Sequence, residues 1–77
     1  MTASPAFEID IRTLYSRSIL RAPSEREAAL KAESLIRKVH ARGELAGFRI
    51  EGPDAAATGR LSEYLEGVMA EVERLSV

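Results

Sequence analysis

Leu61, Leu65, Val68, Val72 and Leu75 recur at spacings of four, three, four and three, and no other stretch of the chain constrains its fold so tightly. A period of 3.5 puts all five side chains along one edge of an α-helix, whereas a strand would divide them between two faces. Tyr64 and Met69 flank the seam and widen it into the kind of stripe that lies on a globular core. Asp54 is a suitable N-cap, so the pattern predicts a helix over 55–75 in spite of Gly59 and Gly67, each of which costs about 1 kcal/mol relative to Ala inside a helix. We expect one part of this helix to pack on the chain's own sheet and the distal part to meet a second copy. Leu61, Tyr64, Leu65, Val68, Met69, Val72 and Leu75 are the expected self-association residues.

Size strengthens the expectation of association. A chain of 77 residues makes one small domain, taken as 1–77 with 1–5 flexible, and a core of that size supplies little stability alone. Such scaffolds are reinforced by disulfides, a structural metal or association. This chain has no Cys and a single His, His40, so association is what remains, and a homodimer is expected. A hydrophobic fraction of 45% with 30% charged residues describes a folding chain rather than a disordered one. The formal charge of −1, from 11 basic and 12 acidic residues, gives no overall attraction toward nucleic acid or an acidic membrane. Apolar runs are only a few residues long, and MTASPAFEID lacks the basic and greasy regions of a secretory signal; a cytoplasmic protein without membrane contact is expected.

Phe7, Ile9, Ile11, Thr13 and Tyr15 alternate with mostly polar residues, a period-two pattern that predicts a half-buried strand over 6–15. A helix remains open for 6–16, with Ser4 as N-cap, Pro5 in the first turn and Phe7, Ile11, Leu14 and Ile19 on one face. Ser24 followed by Glu27 is a capping-box pair, and Ala28, Ala32, Leu35, Ile36 and Val39 form an apolar stripe behind it, so a helix over 24–42 is predicted. Glu27/Lys31 and Glu33/Arg37 support it as acid-before-base pairs, and Gly43 is positioned to end it in a left-handed cap. Phe48 and Ile50, between Gly47 and the Gly52-Pro53 breaker, predict a short strand over 47–51. The sum is a small α+β, two-layer βαβα domain in which a parallel crossover joins two strands, a sheet narrow enough to need a neighbour.

Chemistry is sparse. One His, no Cys and hydroxyls without an evident base argue against acid–base or nucleophilic catalysis, and His40 has no companion at metal-ligand spacing. The five glycines are scattered, with no phosphate-cradling loop ahead of a helix. No catalytic, cofactor-binding or metal residue is therefore expected. Arg37, Lys38, His40 and Arg42 crowd one helix end and are candidate anion-binding residues, with Arg49 able to join them; cations there also offset the negative end of the helix dipole. Nothing aromatic interleaves them, so nucleic acid is not the expected partner.

Within the last helix, residues 62–67 read SEYLEG. The hexamer resembles the inhibitory signature of small antitoxins of Fic-domain enzymes, which transfer adenylyl groups from ATP: Ser or Thr, three residues, Glu, then Gly or Asn. That resemblance implies a helix docked on the enzyme, with Ser62 as the signature hydroxyl, Glu66 engaging an active-site arginine so that ATP is misplaced, and Gly67 closing the motif. The same residues read as the solvated side of an amphipathic helix, since at 100° per residue Glu66 lies about 140° from the seam's centre. The expected function is a small non-enzymatic, protein-binding regulator or accessory subunit that self-associates through its C-terminal helix. The alternatives are an antitoxin-like inhibitor acting through Ser62 and Glu66, and a nucleic-acid-binding dimer using the basic helix end.

Overall fold

The computed structural model describes residues 7–75, and the segment 1–5 expected to be flexible lies outside them. The chain runs β1 (Phe7–Arg12), β2 (Arg17–Ala22), α1 (Glu25–Ala41), β3 (Gly47–Glu51) and α2 (Ala55–Leu75). The domain is α+β in two layers: an antiparallel sheet of order β2-β1-β3 under two helices.

The N-terminal strand is shorter than 6–15, and β2 has no counterpart among the expected elements. Pairing of β1 stops at Arg12 because Thr13 turns the chain: its Oγ1 accepts from the amides of Tyr15 and Ser16 at 3.1 and 3.0 Å, and its own amide donates to the Ser16 carbonyl at 2.8 Å. The strand that returns pairs Arg12 with Arg17 through Phe7 with Ala22. The parallel crossover expected between the strand at 6–15 and the strand at 47–51 is not found: β1 and β3 are neighbours but antiparallel, because β2 reverses the chain before α1. Phe7, Ile9 and Ile11 point from β1 into the core, while Glu8, Asp10 and Arg12 occupy the open face.

Both helices start where side-chain chemistry directs. Ser24 Oγ accepts from the Glu27 amide at 3.2 Å, and Asp54 Oδ1 accepts from the Ala57 amide at 2.8 Å, each satisfying a donor that the first turn leaves unpaired. α1 ends in a Schellman motif, with Gly43 at φ +83°, its amide on the His40 carbonyl and the Glu44 amide on the Val39 carbonyl. Gly52 is required for a different reason: a Cβ there would stand 2.9 Å from the Phe7 ring and 2.9 Å from Thr58 Oγ1. The helices run parallel, since Arg60 meets Glu25, Tyr64 meets Glu33 and Glu71 meets Arg37. Ile9, Ile11, Ile36, Leu61 and Leu65 are the largest fully buried side chains and mark the centre of the core.

Candidate interaction surface

The C-terminal seam turns inward for most of its length. Leu61, Leu65, Val68 and Val72 are buried in the chain's own core, and Met69 is half-buried against it. Of the seven residues expected in self-association, Tyr64 and Leu75 remain exposed, Leu75 at 73%. The Tyr64 hydroxyl donates to Glu33, and Arg37 Nη2 bonds Glu71 at 2.9 Å, so this edge of α2 is clamped to α1. Tyr64 and then Arg37 hold the Glu33 carboxyl below its ordinary pKa, and Arg60 does the same for Glu25. In return Glu71 and Glu33 raise Arg37, and Glu33 raises the Tyr64 hydroxyl.

The basic helix end is dispersed. Arg37 faces Glu33 and Glu71, His40 sits half-buried beside Val72 and Leu75, and Arg42 pairs with Glu44 at 3.4 Å. Lys38 faces the opposite side, toward β2. The four candidates for anion binding are thus not brought to one point. Arg49 lies on the open sheet face, opposite Asp10 in the β1–β3 register. Ser62 and Glu66 sit one turn apart on the flank of α2 turned away from α1, Ser62 half-buried and Glu66 exposed.

A surface not anticipated from the sequence forms along β2 and α1. The buried stripe of α1 consists of Ala28, Ala32, Ile36 and Val39, while Leu30 stands 54% exposed. At 100° per residue Leu30 lies about 165° from the centre of that stripe, so it serves no part of the core. It instead borders a shallow trough with Leu20, Leu35, Lys31, Ser34 and Lys38, running beside the outer edge of β2. Within the sheet order β2-β1-β3 that edge has no neighbouring strand among the described residues, so its outward backbone groups are open to pairing except the Arg21 carbonyl, which accepts from Lys31 Nζ at 3.1 Å. On the other side of the same edge lie Arg17, Ile19 and Arg21, Ile19 43% exposed. Arg17 bonds Asp10 at 2.8 Å and Arg21 approaches Glu8 at 3.8 Å, yet more than half of each arginine side chain is exposed. Arg17, with Arg12, holds the Asp10 carboxyl below its ordinary range, and Asp10 raises Arg17. The signal that could have found this surface is a leucine on the wrong side of an alanine-rich stripe.

A second apolar region lies at the end of the molecule where the β1–β2 turn meets the α1–β3 loop. Leu14, Tyr15 and Leu45 are 91%, 83% and 70% exposed there, beside Arg12 and Glu44. Glu44 Oε1 is buried without a hydrogen-bond partner. Among the described residues no three His, Cys, Asp or Glu side chains are placed to hold a metal ion, and no helix is long and apolar enough to cross a membrane. No protein-family model matches the chain, and no curated protein and no solved structure matches it.

Proposed function

We propose that this protein is a non-enzymatic protein-binding module, a regulator or accessory subunit that works by offering the outer edge of β2 and the neighbouring trough on α1 to another protein. The observation that carries this reading is the combination at one place of an unpaired strand edge with Leu20, Leu30 and Leu35 beside it. Open edges attract other strands, and a leucine kept outside a core that packs with alanines is most useful in an interface. The mixed-charge surface fits a cytoplasmic setting, which is part of the proposal. A photo-crosslinking phenylalanine analogue placed in cells at Leu30 or Ile19 is expected to capture a partner, and at Ala70, on the solvent side of α2, to capture none. Equal capture at all three positions, or none at Leu30 and Ile19, would overturn the reading.

Pairing of two copies through α2 is a separate proposal. It rests on Tyr64 and Leu75, the seam residues that stay outside the core. Light scattering at micromolar concentration that reports only the 8.4 kDa monomer would remove it without touching the β2 edge.

A further inference from the structure

We infer that the β2 edge accepts an extended segment in which apolar and acidic residues alternate, added as a fourth strand; this inference rests on the edge reading above. The inner side of β2 already shows the chemistry. β1 supplies Phe7, Ile9 and Ile11 to the helix-covered face while Glu8 and Asp10 meet Arg21 and Arg17 on the open face. A strand on the outer side meets the same two faces of β2, because side chains alternate across a strand. Its apolar residues would lie along Leu20 and the trough with Leu30 and Leu35, and its acids would lie beside the guanidinium groups of Arg17 and Arg21. Each guanidinium carries five N–H donors, more than one carboxylate can use.

The charges around the edge favour that occupant. Arg17 and Arg21 stand on the open side, where Asp10 and Glu8 pair with them, and Lys31 and Lys38 stand on the helix side, where Glu27 lies one turn before Lys31, so cations outnumber acids four to three. Lys31 Nζ donates to the Arg21 carbonyl at 3.1 Å, which keeps its charge at the strand. The arrangement disfavours a second copy of β2 in the two-fold register centred on Ile19, where Arg17 of one copy faces Arg21 of the other, twice, since like charges directly opposite each other are destabilising; the register centred on Leu20, which sets Arg21 opposite Ile19, carries no such penalty. A small polar ligand is also a poor match, because the trough is apolar and its hydrogen-bonding groups are the backbone of a strand.

The probe is a fluorescent heptapeptide alternating isoleucine and valine with glutamate, beside a control with lysine in place of every glutamate. Titrated against the isotopically labelled full chain, the acidic peptide is expected to move the amides of Arg17–Ala22 and of the trough, and the control is not. Arg21→Gln, on the open face where the acids lie, is expected to weaken the acidic peptide about threefold, and Leu30→Ser, on the apolar side, about tenfold; raising salt weakens it further. Equal binding of both peptides at β2 would overturn the preference for acids and leave the edge reading standing. Silence of the β2 amides toward both peptides at millimolar concentration would overturn the edge reading itself. Shifts of those amides with protein concentration alone would assign the edge to a second copy and overturn the acidic partner.

Discussion

α1 and α2 lie side by side and point the same way, but they meet the sheet with different materials. α2 buries Leu61, Leu65, Val68 and Val72. α1 buries two alanines, Ala28 and Ala32, before Ile36 and Val39, and turns Leu30 outward. The apolar stripe of α2 is consumed by the fold, whereas part of the apolar material of α1 lies beyond it. A stripe of large apolar residues on α2 coincides with the core, and a leucine outside the alanine-bearing stripe of α1 marks the candidate interface. Apolar side chains that the core leaves out carry more information about binding than those it takes in.

The comparison breaks first at α2. Leu65 is fully buried at the centre of the stripe, and Leu65→Ala is expected to cost about 2–5 kcal/mol through lost burial and the cavity left behind. Urea unfolding checks it, and an unchanged midpoint would mean that the stripe is not the core. At α1 the opposite change is informative. Ala32 is fully enclosed, so Ala32→Leu is expected to overpack the close contact and cost about 1–3 kcal/mol. A stabilised variant would show that α1 stands off the sheet and that the contrast between the helices is unfounded.

How far this was legible depends on the kind of signal each segment carries. Ser24, Gly43 and Asp54 direct their helix ends through local hydrogen bonds and a positive φ, and both helix boundaries follow from them. The turn at Thr13–Ser16 has no Gly, Pro, Asn or Asp, and its hydroxyl-to-amide bonds form without them, so the period-two pattern hid a hairpin inside what reads as one longer strand. With β2 hidden in the longer strand pattern, the two-strand expectation did not place β2 at an edge of the sheet. Arg37 and Lys38 illustrate the other limit. Adjacent in sequence, they point to opposite sides of α1, one into ion pairs with Glu33 and Glu71 and the other to the trough.

The caps sharpen the comparison at a smaller scale, because both helices use the same device. Ser24→Ala and Asp54→Ala each remove a side-chain acceptor from a first-turn amide, and each is expected to cost about 1 kcal/mol. A difference of more than about 1 kcal/mol between them in urea midpoints converted to free energy would show that one helix start is held by something besides its cap.

The clamp between the helices predicts a pH dependence. Glu33 has a folded pKa below its ordinary 4.5, because Tyr64 and Arg37 favour the ionised carboxylate. The stability it contributes is therefore fully present above the unfolded value and is lost as pH falls from about 4.5 through the folded pKa. Tyr64→Phe removes the first of those partners and is expected to lower stability most above about pH 4.5, where the carboxylate is ionised, and least below the folded pKa, so that the acid side of the stability–pH curve flattens. Parallel curves for parent and variant would show that the hydroxyl does not act on Glu33 in solution.

The smallest effect is expected at Glu66, on the flank of α2 that faces neither α1 nor the β2 edge. Its carboxylate is exposed and makes no ion pair within 4 Å among the described residues, so Glu66→Gln is expected to shift stability by no more than about 0.5 kcal/mol. Because the residue lies on the opposite flank of the domain from the trough, the same substitution is expected to leave binding of the acidic peptide unchanged. Those two silences separate the readings of SEYLEG. As the solvated side of a helix, the hexamer predicts that Glu66→Gln changes nothing measured on any co-purifying enzyme. As the inhibitory signature it resembles, it predicts a complex that still forms while ATP-dependent adenylylation by the partner rises, since a docked helix is held by many contacts and a single carboxylate would do the blocking. Co-expression with the co-purifying enzyme, scored for modified protein with wild type and with Glu66→Gln, decides between them, and a rise without loss of stability would place the protein's action on α2 rather than on the β2 edge.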